Sequence, residues 1–79
     1  MQILVNSNKN CFVSTIETRD LNFKDCFETM CFSKTDNKIN YAQEKVLEQD
    51  LTYTLADARK KHNAICKKYK IESEKKNVS

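Results

Sequence analysis

The chain of 79 residues contains no glycine and no proline, and it carries 14 Lys and Arg against 11 Asp and Glu, for a net charge of +3. Its length predicts one domain, which we place at residues 1–71 with a polar tail at residues 72–79, and without glycine it can hold neither a dinucleotide-binding fingerprint nor a P-loop. Because it has no apolar run near ~20 residues and no secretory signal, we expect a cytoplasmic protein without membrane contact and with its cysteines reduced.

Three strands are predicted in the first half of the chain. Residues 2–5 form a short apolar segment, and residues 11–18 are rich in β-branched side chains, which favour strands. Residues 25–32, DCFETMCF, also fit a helical stripe. We favour a strand there because the segment is short, aromatic-rich and flanked by turn residues.

The second half is predicted to hold a loop, a fourth strand and a helix. Residues 33–40 are polar and predict a loop. Residues 44–50 alternate in polarity and predict a strand, although their charges would also suit a helix. Residues 54–69 predict an amphipathic helix that begins at the N-cap residue Thr54, with Asp57 in its first turn. The residues of its predicted apolar stripe recur at helical spacing and are Leu55, Ala58, His62, Ile65, Cys66 and Tyr69.

Both faces of the predicted sheet carry apolar side chains, because residues alternate between faces along a strand. Phe12 and Ile16 share one face of the second strand, and Cys11 and Val13 share the other. In the third strand, Met30 and Phe32 face opposite to Phe27 and Cys31. We therefore predict an α+β fold, a three- or four-stranded antiparallel β-meander with one C-terminal helix on one face. The uncovered face would be buried in a homodimer or a hetero-complex.

Charge is distributed unevenly along the sequence, since residues 57–79 are basic and residues 1–56 are slightly acidic. This asymmetry can steer a charged partner. Non-specific contact with nucleic acid is one consequence, but specific base recognition is not expected because the aromatic residues lie on the opposite stripe of the helix. The residues predicted to bind a partner are Val13, Phe27 and Cys31 of the sheet and Arg59, Lys60 and Lys67 of the helix.

Two chemical sites are alternatives to a structural role for the cysteines and His62. The four cysteines and His62 could ligate zinc, but there is no C-x-x-C pair, and Cys26 and Cys31 should face opposite sides of their strand. Cys66 with His62 could form a nucleophile and base, but both lie on the predicted core stripe, where a thiol is inert. We expect no metal, no cofactor and no enzymatic activity.

His62 is the only histidine, and two roles remain open for it. It could be a core residue that donates a hydrogen bond to a strand carbonyl or to Glu28 or Thr29. Alternatively, His62, Glu28, Thr29 and Ser14 could converge on a small ligand between helix and sheet.

Three segments of the chain resemble parts of a known family. They are FVSTI at residues 12–16, FETMCF at residues 27–32, and Thr54 with Ala58 and HNAI at residues 62–65. Together they resemble a family of small phage and prophage proteins with a WVSTV, FETMVF and T-x-x-E/D-A-x-x-x-H-x-x-I/V pattern, over residues 11–66. The chain departs from it at Phe12, Cys31 and Lys61, where the family has Trp, Val and often Gly. The resemblance implies a phage origin, a sheet-plus-helix domain and the cytoplasm of an infected bacterium.

From this setting we expect a binding protein that inhibits or redirects a host protein, such as a stoichiometric, anti-CRISPR-like inhibitor of a defence system. Two other classes remain as alternatives. One is an oligomeric protein that sequesters a nucleotide signal, with His62 and helix lysines on the phosphates. The other is an accessory protein that binds nucleic acid.

Overall fold

A computed structural model describes residues 2–42 and 45–71. Within them the elements follow the predicted order and confirm the α+β fold with its single C-terminal helix. The predicted tail and Glu44, the first residue of the predicted fourth strand, lie outside the described residues. The elements are β1 (Gln2–Ser7), β2 (Cys11–Arg19), β3 (Asp25–Thr35), β4 (Lys38–Ile39), β5 (Val46–Thr52) and α1 (Leu55–Lys68).

The strands form one antiparallel sheet in which β2 and β3 are central. β1 pairs with the outer edge of β2, and β5 pairs with the other edge of β3. The register places Thr15 opposite Thr29 and Val13 opposite Cys31. Strands β1 to β4 each pair with the next strand in sequence, as expected of a meander, whereas β5 pairs with β3.

Residues 33–40 were predicted to be a loop, and this prediction was wrong. β3 continues to Thr35, turns at Asp36 and Asn37, and pairs with the short strand β4. Asp36 and Asn37 have φ angles of 53° and 66°. Two positive φ angles in succession characterise the tight hairpin turns whose twist matches that of the flanking strands, and Asp and Asn adopt them at low cost. The polar composition therefore signalled a hairpin turn.

The helix begins and ends with recognisable caps. The Thr54 hydroxyl accepts a hydrogen bond from the Asp57 amide at 3.1 Å, which confirms the predicted N-cap. At the other end the Ile71 amide donates to the Cys66 carbonyl at 2.8 Å, and the Lys70 amide donates to the Lys67 carbonyl at 3.3 Å. These two bonds form a Schellman motif, with Lys70 at φ 59° in the left-handed position where glycine is usual.

The core lies between the helix and one face of the sheet, which we call the covered face. Cysteines and β-branched residues make up this layer. The cluster consists of Cys11, Val13, Cys31, Ile65, Cys66 and Ile71, with Tyr69 packed against it.

Asn8, in the turn between β1 and β2, connects the sheet to the end of the helix. Its Oδ1 accepts from the amides of Asn10 and Cys11 at 2.8 and 2.7 Å. Its Nδ2 lies 3.3 Å from the carbonyls of both Tyr69 and Lys70. One side chain thus closes the β1–β2 turn and also binds the carbonyls of the two residues that follow the helix.

Candidate functional site

No helix among the described residues lies on the face of the sheet opposite α1, and the centre of that face is apolar. Its side chains are partly buried by one another, since Ser14 and Phe32 are each only 8% exposed. Ile16, Met30 and Phe32 line a shallow cavity of about 150 Å³ there, together with Ser14 and Glu28. This confirms the predicted alternation, with Phe12 and Ile16 on one side of β2 and Cys11 and Val13 on the other. We call the surface formed by Phe12, Ser14, Ile16, Glu28, Met30, Phe32 and Leu51 the uncovered face.

An aromatic cluster extends the uncovered face toward the β3–β4 end of the sheet. The ring centroids of Phe12 and Phe32 are 6.3 Å apart, and those of Phe32 and Tyr41 are 5.1 Å apart in an edge-on arrangement. Tyr41 remains 65% exposed. An aromatic ring that is anchored on one side and open on the other resembles the residues that dominate binding energy at protein interfaces.

The connection between β2 and β3, residues 20–24, carries two large apolar side chains in water. Leu21 is 98% exposed and Phe23 is 82% exposed. Phe23 also has a φ of 63°, which is costly for a bulky side chain. We call these five residues the hairpin tip. Backbone strain of this kind concentrates at functional sites.

Asp20 fixes the conformation of the hairpin tip. Its Oδ1 accepts from the amides of Asn22 and Lys24 at 2.8 and 3.0 Å, and its Oδ2 accepts from the Tyr53 hydroxyl at 2.9 Å. The hydrogen bond from the Lys24 amide, followed by that from Tyr53, lowers the pKa of Asp20 below its ordinary range. The loop therefore keeps an anionic centre and presents Leu21 and Phe23 from a fixed backbone, with little ordering left to do on binding.

A second cavity joins the hairpin tip to the uncovered face. Its volume is about 350 Å³, and its lining includes Leu21 from the tip, Glu28 from β3 and Leu51 from β5. Leu51 is 42% exposed. Tip, cavity and uncovered face consequently form one continuous surface that is apolar in the middle. Its charge is mixed, because Arg19 lines the cavity beside Asp20 and Glu28.

The structure separates the six predicted partner-binding residues. Val13 and Cys31 have no exposed surface because the helix covers their face of the sheet, so they belong to the core and cannot meet a partner. The prediction chose the wrong face of the sheet for these two residues. Phe27 is half-buried on the same side of β3 as Cys31. The helix residues Arg59, Lys60 and Lys67 are exposed, as a binding role requires.

The predicted ligand pocket does not form, because its four residues lie on two sides of the sheet. Ser14 and Glu28 line the cavity of the uncovered face, whereas Thr29 and His62 are buried on the covered face. Glu28 accepts a hydrogen bond from Gln49 at 2.8 Å. The even-numbered and odd-numbered positions of β2 and β3 point in opposite directions. Ser14 and Glu28 therefore face away from Thr29 and from the helix that carries His62.

His62 is instead a core residue with side-chain partners on two strands. Its Nδ1 lies 2.8 Å from Thr15 Oγ1, and its Nε2 lies 2.7 Å from Asn6 Oδ1. Thr15 Oγ1 is also 2.8 Å from Thr29 Oγ1. The core role predicted for His62 is confirmed, but its strand partners are Thr15 and Asn6, and the predicted partner Glu28 lies on the other face.

Metal and nucleophile chemistry find no geometric support in the part of the chain that the structure describes. No group of three or more His, Cys, Asp and Glu side chains there is arranged to hold a metal ion. Cys66 and His62 are each 1% exposed. Burial raises the pKa of Cys31, their neighbour in the core, to about 12, which keeps that thiol protonated.

Leu21 and Phe23 were not among the predicted site residues. The sequence did hold a signal, because two large apolar residues, in the segment RDLNFKD, fall between two strands where polar turn residues are usual.

No protein-family model matches the sequence, and neither a curated protein nor a solved structure shows significant similarity to it. Among the residues that the structure describes, no helix combines the length and apolarity needed to cross a membrane.

Proposed function

We propose that the protein acts by binding another protein through the surface formed by its hairpin tip and uncovered face. The observation that carries the proposal is the nearly complete exposure of Leu21 and Phe23 on a loop that Asp20 holds in place. A fixed loop loses little conformational entropy on docking. Two anchors of this size at the edge of an apolar face provide the concentrated burial that binding hot spots have.

The chemistry of the surface defines the partner that it fits. Leu21 and Phe23 require an apolar pocket, and the rim of that pocket would have to match the mixed charges of Arg19, Asp20 and Glu28. In line with the phage resemblance, the proposed partner is a protein of an infected bacterium, such as a component of a defence system. The protein would act as a stoichiometric inhibitor that occludes its target.

The nucleotide-sequestering alternative has less support from the geometry. His62 is 1% exposed, and its ring nitrogens face Thr15 and Asn6. A phosphate at this position would have to displace both. That alternative would therefore rest on the helix lysines alone.

A double variant, Leu21→Ser with Phe23→Asn, tests the proposal without risk to the fold. Neither side chain is in the core, and asparagine tolerates the positive φ at residue 23 better than phenylalanine. Leu55→Ser is the matched control, because Leu55 is 46% exposed at the start of the helix and lies outside the surface.

The tagged proteins are used to capture partners from phage-infected bacteria, and captured proteins are then titrated in purified form. We expect the tip variant to bind at least ~100-fold more weakly than wild type, since two hot-spot anchors are lost, while the control binds normally. Equal binding by wild type and tip variant would overturn the proposal. A wild-type dimer that becomes a monomer in the tip variant would also overturn the proposal, because the surface would then serve self-association.

A further inference from the structure

A row of cations runs along the outward side of the helix. At 3.6 residues per turn, Arg59, Lys60 and Lys67 fall within an arc of roughly 100° on the helix. Lys70 follows just past the helix end, and all four cations are exposed. Asn63 lies between them and is also exposed. We call Arg59, Lys60, Asn63, Lys67 and Lys70 the basic ridge.

The basic ridge is distinct from the helix lysines that hold the fold together. Lys61 pairs with Asp50 at 2.9 Å, and Lys68 pairs with Glu48 at 2.6 Å. These pairs draw two cations toward β5. Within residues 2–42 and 45–71, no ion pair involves a cation of the ridge. The ridge charges therefore act outward, toward solvent or a ligand.

The ridge continues past the end of the helix. Lys70 occupies the left-handed position of the Schellman motif, where glycine would cost less. The Asn8 side chain joins the carbonyl of Lys70 to the β1–β2 turn, and Lys9 of that turn is exposed. The two connected segments thus place a further cation beside the end of the ridge.

The composition of the ridge favours phosphates over a protein surface. Lysine is depleted in the cores of protein interfaces, which need apolar anchors, and the ridge offers none. Phosphate contacts need only cations at suitable spacing. From Arg59 to Lys67 the helical part of the ridge spans roughly 12 Å, a length over which each strand of a duplex presents about three or four phosphates. Lys70 and Lys9 extend the row of cations beyond it.

We infer that the basic ridge binds the phosphate backbone of double-stranded nucleic acid. Binding is independent of sequence, because the ridge has no aromatic residue to stack on bases and three of its four cations are lysines, which contact phosphates as point charges. The inference goes beyond the proposed function, since the ridge lies on the helix and the protein-binding surface lies on the hairpin tip and uncovered face.

The test measures the affinity of the full-length protein for a 20-bp DNA duplex by fluorescence anisotropy between 50 and 200 mM salt. We expect log K to fall linearly with log salt with a slope of about −4, which corresponds to four or five phosphate contacts. Lys60→Gln with Lys67→Gln should reduce the slope by about 2 and weaken binding at least tenfold at 50 mM salt.

The matched control is Lys38→Gln with Lys45→Gln, which lowers the net charge equally at exposed positions away from the helix. It should change the slope by less than about 0.5 if contacts are local. Equal loss in both double variants would show that net charge alone matters and would overturn the inference. Two further results would also overturn it: no salt-dependent binding by wild type, or equally tight binding of a poly-glutamate of similar charge.

Discussion

Thr15 Oγ1 and His62 Nδ1 lie 2.8 Å apart in the layer between sheet and helix, where neither residue is more than 1% exposed. The second ring nitrogen of His62 reaches Asn6 on β1, and Thr15 reaches Thr29 on β3. One imidazole therefore connects the helix to β1 directly and to the two central strands through a pair of hydroxyl groups. In a buried layer such a network is stabilising only while its members remain paired.

Replacing His62 with leucine should lower the free energy of unfolding by about 2–3 kcal/mol, because the Thr15 hydroxyl and the Asn6 amide lose a buried partner. Urea unfolding of wild type and variant measures this loss. Asn63→Leu, at the neighbouring exposed position, should stay within about 0.5 kcal/mol of wild type. A double-mutant cycle with Thr15→Val should give a coupling of at least ~0.5 kcal/mol, and additive effects would contradict the network.

Asn8 offers a test of how the helix is fastened to the sheet. Asn8→Asp keeps the oxygen that accepts from the amides of Asn10 and Cys11 but removes the donor to the carbonyls of Tyr69 and Lys70. We expect this variant to lose about 1–2 kcal/mol. Asn8→Ala should lose more, because it removes both sets of bonds. Similar losses in the two variants would mean that the bonds to the helix contribute little.

Lys70→Gly should stabilise the fold. A non-glycine residue at φ 59° is destabilised by roughly 1–2 kcal/mol, a cost that glycine avoids. Glycine offsets part of this stabilisation because it has more conformational freedom in the unfolded chain. A net increase of about 0.5–1 kcal/mol is expected from thermal or urea unfolding. Lys67→Gly, inside the helix, should instead cost about 1 kcal/mol. A destabilising Lys70→Gly would show that Lys70 makes a favourable interaction of its own.

Acid should destabilise the protein through Glu48. Hydrogen bonds from Lys68 and then from Tyr69 lower the pKa of Glu48 below its ordinary value of 4.5. A carboxylate whose pKa is lower in the folded state contributes stability that is complete above its unfolded pKa and is lost as the pH falls through its folded pKa.

Glu48→Gln should therefore unfold more easily at pH 7, by at most about 1 kcal/mol for this partly exposed pair. Its stability should also decline less steeply below about pH 4.5. Urea midpoints across this range provide the measurement. Asp36→Asn, in the exposed turn between β3 and β4, is the control, and a decline identical to that of wild type in Glu48→Gln would contradict the assignment.

All four cysteines should resist thiol reagents in the native protein. Each is buried, and burial raises the pKa of Cys31 to about 12 and also raises that of Cys26. Because only the thiolate reacts, Ellman's reagent should label none of them within minutes at pH 8 and all four in urea. Rapid native labelling of Cys31 would show that the helix leaves the sheet easily.

The sequence predicted the helix and strands better than it predicted which face of the sheet the helix covers. β2 and the helix carry unambiguous patterns of β-branched residues and of helical spacing, so their existence and approximate bounds were predictable. The choice of face was not, because both faces of β3 carry apolar residues. The helix covers the face with Thr15 and Thr29, where the Thr15 hydroxyl bonds both the buried His62 and Thr29. That requirement depends on strand register, which a pattern of apolar residues does not reveal.

The hairpin tip escaped prediction for a different reason. Leu21 and Phe23 are apolar, and an apolar residue in a sequence is ordinarily expected to be buried. Their exposure follows from the way Asp20 organises the loop, and such side-chain-to-backbone bonding depends on the three-dimensional path of the chain.

The molecule is only 19 Å across in its thinnest direction, because one helix on one sheet leaves β2 and β3 as a single partition between the covered and uncovered faces. A protein that docked on the bare side would restrain the same strands that support His62 from the other side. Amide hydrogens of β2 and β3 should then exchange more slowly, and those of the helix should follow, although nothing touches it. Binding of a protein to the uncovered face would thus be detected as slower deuterium uptake in the helix on the covered face.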